Sequence, residues 1–214
     1  MKILNKVKTI NSVSFTLLLI LLIAFIIRYI NLTDRLLWED EAVYLLAANQ
    51  ILENPLKIPT YPKSDWKIMW HPPLMFYVTA GFFLLIESEE FAGRLMSVTF
   101  GTLTVFLTFL LAREVYDKKV AIISSIFLAL FPIHVVYSRE IHPASIGLFF
   151  MTLAIYVYVK FLKGHKYMYP FVYLTSILAI FTHYLNFFLI LLMPMITFAF
   201  KKTKLLTNKK FLLY

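Results

Sequence analysis

Cysteine is absent from the 214 residues of this chain, which excludes disulfides, thiolate nucleophiles and thiolate metal sites. Acidic residues are also few, with 12 Asp and Glu against 21 Lys and Arg, and the formal net charge is +9. Such a charge can indicate nucleic-acid binding, but here the basic residues cluster at the ends of apolar segments instead of forming one stripe. We therefore expect no nucleic-acid partner. The clusters are Lys2, Lys6 and Lys8; Lys160, Lys163 and Lys166; and Lys201, Lys202, Lys204, Lys209 and Lys210.

Apolar residues are abundant: 60% of the chain is hydrophobic, 17% is aromatic, and the mean hydropathy is +0.76. A soluble domain of this length could not remove that much apolar surface from water. A lipid bilayer can, since about 20 apolar residues in a helix cross its hydrocarbon core. The composition predicts an all-α, polytopic membrane helix bundle.

The apolar segments are separated by short polar loops. The first runs from about Ser12 to Ile30 and is too long for the core of a signal peptide, so it is predicted to be a retained helix. The later apolar segments are Pro72–Ile86, Gly93–Leu111, Val120–Tyr137, Ala144–Lys160, Met168–Thr182 and Tyr184–Phe200.

The basic loops decide which segments cross. If Pro72–Ile86 crossed, the strongly basic loop Lys160–Lys166 would lie outside, against the positive-inside rule. Pro72–Ile86 has only about 15 residues and opens with two prolines, so we predict a re-entrant or surface helix. About six spanning helices then remain, with the N-terminus in the cytoplasm. The outer face of the cell membrane receives a first loop of about residues 31–91 and a second of about residues 138–143.

Within the first outer loop, residues 41–52 have apolar side chains at helical spacing, which predicts a short interfacial helix. Its apolar face is predicted to hold Val43, Leu46, Ala47 and Ile51. We see no internal repeat and interpret residues 1–214 as one module.

Two adjacent carboxylates, Asp40 and Glu41, begin this helix next to Glu39. Three consecutive acids repel one another, and a cation or a proton would relieve that repulsion. A positioned carboxylate here could act as a general base toward a hydroxyl. The alternative is a solvated acidic loop.

Further polar groups gather on the same face. Arg139 could hold a phosphate by two parallel hydrogen bonds, while Glu140 and His142 are plausible metal ligands. His71 could donate to a phosphate or act as an acid or base, and His183 interrupts two apolar segments. The structural alternatives are an arginine–carboxylate pair that caps a helix, an interfacial anchor at His71 and a kink at His183.

The order of these motifs resembles that of the GT-C membrane glycosyltransferases, which use polyprenyl-phosphate-linked sugars. The similar branches are the protein O-mannosyltransferases, the lipid A aminoarabinose transferases and the RgtA/B/C/D-like transferases. The resemblance covers about residues 10–200. The matching motifs are Trp38–Tyr44, His71–Leu74, Arg94–Leu95, Ala112–Glu114, Tyr137–Glu140 and Thr182–Tyr184.

The resemblance implies a transferase that moves a sugar from a polyprenyl phosphate to a hydroxyl of a protein, lipid or glycan, with inversion. Asp40 would be the catalytic base, with Glu41 beside it. Arg139, His71, Lys67 and His183 would bind the donor phosphate. Glu140 and His142 would be the candidate ligands of a divalent ion, Mg²⁺ or Mn²⁺. His142-Pro143-Ala144 stands where many relatives have an Asp or an Arg-x-Tyr pattern.

Members of this family are about twice as long or more, so the C-terminal part of the family is expected to be missing. The chain could be a truncated form, or one half of a split enzyme with a partner subunit. A small transporter and a non-catalytic lipid-handling or accessory subunit are the alternatives from other classes.

Overall fold

The chain is all-helical in a computed structural model that describes residues 2–68 and 71–200, with side chains from Val13 onward. This confirms the all-α part of the predicted fold class. The predicted basic tail Lys201–Lys210 lies outside the described residues. The helices are α1 (Lys2–Tyr29), α2 (Glu39–Glu53), α3 (Leu74–Phe83), α4 (Glu89–Val115), α5 (Lys118–Leu130), α6 (Pro132–Tyr137), α7 (Pro143–Leu162), α8 (Tyr169–Thr182) and α9 (Leu189–Ala199), with 3₁₀ turns at Lys166–Met168 and Tyr184–Phe188.

Helix α4 lies at the centre of the bundle and packs against α1, α3, α5 and α7. Its 27 residues span about 40 Å, and the 20 residues of α7 span about 30 Å. Among the described residues, these two helices are long and apolar enough to cross a membrane by themselves. Large apolar side chains point outward on α1, α5, α8 and α9, among them Leu18, Phe127, Phe181 and Phe198. Such a surface suits lipid better than water.

Helix α3 lies within Pro72–Ile86, the segment that was predicted not to cross. Its ten residues rise only about 15 Å. The His71 ring just before α3 lies against the His183 ring after α8, at 5.5 Å between centroids. At the other end of α3, the first turn of α4 contacts α2, where Asn49 donates to Glu89 at 2.7 Å. Both ends of α3 therefore lie at the end of the bundle that carries α2.

Helix α2 exists where the sequence predicted an interfacial helix, but its buried face differs. The buried side chains are Glu41, Tyr44, Leu45, Ala47, Ala48 and Ile51, whereas Val43 and Leu46 are half-buried. Two of the four predicted residues, Ala47 and Ile51, therefore lie on the buried face, and Val43 and Leu46 pack at its edge. The burial of Glu41 requires a partner for its charge.

Two arginines bind helix ends across the bundle. The fully buried Arg28 of α1 donates to Ala24 O at 2.8 Å and Ala129 O at 3.0 Å, and lies 2.8 Å from His134 Nδ1. Pro132 has no N–H and separates α5 from α6, so carbonyls near the end of α5 are free to accept these bonds. In return, Arg139 donates to Ile27 O at 2.9 Å near the end of α1. This arginine pair fixes α1 against the second outer loop.

Candidate active site

Glu41 lies at the centre of the site and is 1% exposed. Arg94 of α4 donates two hydrogen bonds to its carboxylate, from Nε to Oε1 at 3.0 Å and from Nη2 to Oε2 at 3.1 Å. The backbone N–H groups of Trp38 and Ile141 also donate to it, at 3.1 and 2.9 Å. Burial alone would raise the pKa of Glu41, but these bonds outweigh burial and the net shift is downward. Glu41 is held as a carboxylate and joins the two outer loops.

Arg94 is itself fully buried and organises the first outer loop. Besides Glu41, it donates to Leu32 O and Arg35 O, both at 3.0 Å, and pairs with Glu90 at 2.6 Å. A planar guanidinium has five N–H donors in a fixed fork, so a single residue can hold several loop carbonyls at once. This fixes the approach of the chain to α2.

Asp40 has a different environment, although it is the next residue. Among the described residues, none pairs with its half-buried carboxylate or donates a hydrogen bond to it. Its charge instead acts on the rings of His71 and His142. Adjacent residues on a helix are rotated by about 100°, so one carboxylate turns to Arg94 and the other to the histidines.

Three histidines from distant segments meet beside Asp40. The buried Tyr44 ring lies 5.7 Å from the His71 ring and 6.4 Å from the His142 ring, and His183 lies against His71. Burial, together with nearby His183 and His142, lowers the pKa of His71 to about 4. Burial and His183 do the same for His142, and burial lowers the pKa of His183. The cluster is therefore neutral at pH 7.

These shifts predict that acid destabilises the protein. A histidine in the unfolded chain titrates near 6.5, above the folded value of about 4 for His71 and His142. Protons therefore bind the unfolded chain first, and stability falls as the pH drops from 6.5 toward 4. The melting temperature of the protein in detergent should follow this decrease. His142 accepts from Ala144 N at the start of α7, and Asn can also cap a helix, so His142→Asn should flatten the profile. Identical slopes for both proteins would contradict the assignment.

The predicted phosphate and metal ligands of the second loop have other partners. Arg139 holds carbonyls of α1, which favours a positioning role over phosphate binding. Glu140 accepts from Arg35 Nη1 at 2.7 Å, and Nδ1 of His142 is used in its helix cap. Across residues 2–68 and 71–200, no three His, Asp or Glu side chains come together to hold a metal ion. The assignment of Glu140 and His142 as metal ligands stays a prediction.

Lys67 is exposed in the outer segment 55–68, where its backbone forms an antiparallel bridge with Thr60. Beside this segment lies an apolar cavity of about 230 Å³, lined by residues that include Ile51, Ile58 and Phe76. His71 lines the same cavity and has a buried Nδ1 with no partner among the described residues. A ring nitrogen of His71 with no described hydrogen-bond partner thus borders an apolar cavity.

Arg94 and Tyr44 were predicted only as members of matching motifs and not as site residues, and Arg35 was not predicted at all. Glu41 lies three residues before Tyr44 and four before Leu45, so the helical pattern places its carboxylate on the face that becomes buried. A carboxylate on such a face requires a buried cation, and Arg94 opens the next long apolar helix. The position of Tyr44 between histidines had no local signal.

Comparisons with protein families, with other proteins and with solved structures each give a match. A family model described as dolichyl-phosphate-mannose-protein mannosyltransferase matches residues 70–214, which leaves Asp40 and Glu41 outside the matched range. An uncharacterised protein of Aquifex aeolicus (strain VF5) is 25% identical over 151 residues, covering 70% of this chain and 30% of that protein.

One matching solved structure is a crystal structure of an oligosaccharyltransferase from Archaeoglobus fulgidus, tethered to an acceptor peptide. It superposes with a TM-score of 0.63 at 18% identity, covering 80% of this chain and 24% of that one. At this identity the likeness shows the fold alone. The chain spans less than a third of the length of both proteins.

Proposed function

Since this chain belongs to the dolichyl-phosphate-mannose-protein mannosyltransferase family of GT-C glycosyltransferases, we propose that it transfers a sugar from a polyprenyl phosphate to an acceptor hydroxyl. Its site would bind the donor, perform the displacement and receive the acceptor from the outer face. Where the chain works with another subunit, that subunit would complete the acceptor site.

The observation that supports this proposal best is the unequal pairing of two adjacent carboxylates. Glu41 is saturated by Arg94, Arg35 and two backbone N–H groups. Asp40 is left without a described partner and faces neutral imidazoles. A general base needs an accessible lone pair, and Asp40 has one whereas Glu41 does not.

The proposed reaction is a single displacement. Asp40 accepts the proton of the acceptor hydroxyl while that oxygen bonds to the anomeric carbon. The bond from this carbon to the phosphate oxygen breaks, and its electron pair leaves with the lipid phosphate. Hydrogen bonds from His71 and His183, with the positive charge of Lys67, would stabilise the leaving group. Because the acceptor attacks and the phosphate leaves on opposite faces of the anomeric carbon, the configuration at that carbon is inverted.

The apolar cavity beside His71 would receive part of the lipid carrier. Its volume of about 230 Å³ suits a short apolar segment and not a whole prenyl chain. The isoprene units next to the phosphate would enter it, while the rest of the chain stays in the bilayer. The unpartnered Nδ1 of His71 then faces the phosphate.

The test of this function is turnover of a defined donor. Proteoliposomes would be supplied with a series of polyprenyl-phosphate sugars, and the released lipid phosphate would be measured by mass spectrometry. We expect release to depend on the protein, and the anomeric configuration of the product, read by NMR, to be inverted. No release from any donor, or retention of configuration, would contradict the proposal.

The proposed topology has six crossings, namely α1, α4, α5 with α6, α7, α8, and the 3₁₀ turn Tyr184–Phe188 continued by α9. The loop around α2 and the loop after α6 would lie outside. The absence of cysteine permits a direct test. Single cysteines at the exposed Thr33 and Glu87 should react with an impermeant thiol reagent on intact cells. Cysteines at Tyr116 and Tyr167, which are 72% and 64% exposed, should react only after the membrane is opened. Reaction of all four from one side would contradict this topology.

A further inference from the structure

A second cavity opens along α2, outside the site described above. It has a volume of about 760 Å³, within the range of small-molecule sites. Helix α2 forms one wall and the segment 57–65 forms the other. Small-molecule sites are usually lined by apolar and aromatic side chains. Most of the side chains that line this cavity are polar, which indicates a hydrophilic ligand.

The outer wall of this cavity is held in place by one residue. The side chain of Gln50 accepts from Thr60 N at 2.9 Å and donates to Thr60 O at 2.7 Å. The antiparallel bridge between Thr60 and Lys67 closes the turn between them. A side chain that satisfies both backbone groups of one residue fixes the distance between α2 and this turn. The cavity is thus built by specific bonds, not by a loose loop.

The cavity extends toward the first turn of α2, because its lining residue Tyr61 lies near enough for the charges of Asp40 and Glu39 to act on it. The pocket-lining residues of α2 continue a stripe that begins with Glu39 and Val43 and proceeds through Leu46, Gln50 and Glu53, at spacings of three and four residues. Leu46 lies about 9 Å along the helix axis from Asp40. The ring of Tyr61, which lines the cavity, also packs against the core cluster that contains Tyr44. A short, extended ligand in the cavity could therefore present one group to Asp40.

The lining favours a carbohydrate over a peptide. Peptide sites use an open strand edge or apolar side-chain pockets, and Leu46 and Pro62 are the main apolar groups among the described lining residues. The carboxylates of Glu53 and Asp65 are exposed and form no ion pair with another described residue. A carboxylate accepts two hydrogen bonds at once, which matches a pair of neighbouring sugar hydroxyls. Tyr61 adds an aromatic surface for a sugar ring.

We propose that this cavity along α2 binds the acceptor and that the acceptor is an oligosaccharide. This inference rests on the proposed function, which supplies Asp40 as the base that meets the acceptor hydroxyl. It selects a glycan among the protein, lipid and glycan acceptors that a transferase of this kind could use.

Binding can be measured without turnover, which separates the two proposals. The full-length protein in nanodiscs would be mixed with maltotriose, chitotriose and mannotriose, and saturation-transfer NMR would report which of them binds. The double variant Glu53→Gln/Asp65→Asn removes two acceptor carboxylates at nearly constant size. The matched control is Glu87→Gln, an exposed carboxylate of the same outer loop that does not line the cavity.

We expect a trisaccharide to bind, and its dissociation constant to rise at least tenfold in the double variant but not in the control. If no trisaccharide binds, or if binding does not depend on Glu53 and Asp65, the inference is overturned. It is also overturned if a serine-containing peptide binds in a way that depends on the same carboxylates. If oligosaccharide binds but no donor is turned over, the acceptor site stands and the proposed reaction fails.

Discussion

Replacing Asp40 by Asn is expected to lower sugar transfer by about 10²–10⁴-fold, the usual contribution of a general base. Asn keeps the size of the side chain but cannot take the proton of the acceptor hydroxyl. Asp40 has no described hydrogen-bond partner, so the substitution should leave the melting temperature unchanged. Initial rates of product formation in proteoliposomes, compared with the melting temperature of each protein, measure both effects.

The neighbouring Glu39 supplies the matched control. It is an exposed carboxylate in the same first turn of α2, outside the histidine cluster. Glu39→Gln changes the charge of the loop as much as Asp40→Asn does, yet it should retain transfer. Equal losses in the two variants would mean that loop charge and not a positioned base governs the rate. Full transfer in Asp40→Asn would remove Asp40 from the mechanism.

The variant Glu41→Gln is expected to destabilise the protein by about 3–5 kcal/mol, because it leaves the buried charge of Arg94 with the partly exposed Glu90 as its remaining carboxylate partner. Both side chains are 1% exposed, so solvent screens the pair weakly. The midpoint of thermal unfolding in nanodiscs should fall accordingly. The double variant Glu41→Gln/Arg94→Gln removes both charges and should recover part of the loss.

Glu90 is the control for this pair, since its half-buried carboxylate also contacts Arg94 but is 33% exposed. Glu90→Gln should cost at most about 1 kcal/mol, as for other solvent-accessible ion pairs. If Glu41→Gln retained wild-type stability and lost only transfer, Glu41 would be a catalytic group and not a structural one.

The membrane helices could be predicted because a long run of apolar residues indicates such a helix. The runs Gly93–Leu111 and Ala144–Lys160 became α4 and α7, with ends extended by caps such as His142. The break within Val120–Tyr137 was missed. Pro132 marks its place, but whether a proline breaks or only kinks a helix depends on partners such as Arg28, which lies about 100 residues away.

The site could be predicted only in outline. The pair Asp40–Glu41 indicated chemistry at the start of α2, yet it did not tell the paired carboxylate from the unpaired one, because Arg94 reaches Glu41 through tertiary packing. The histidine cluster is harder still. Its members lie in three separate loops, at His71, His142 and His183, and no local sequence pattern predicts that they come together.

The arginine pair that joins α1 to the second outer loop has a consequence for synthesis at the ribosome. Arg28 is made early, but Ala129 and His134 follow it by more than 100 residues. At 5–20 residues per second, that delay is roughly 5–20 s. During this interval α1 carries a guanidinium that has no partner from α5, at a cost of about 2.5–3.5 kcal/mol if it sat at the bilayer centre. Arg28 stands one residue from the end of α1, where a long side chain can reach water until α5 arrives.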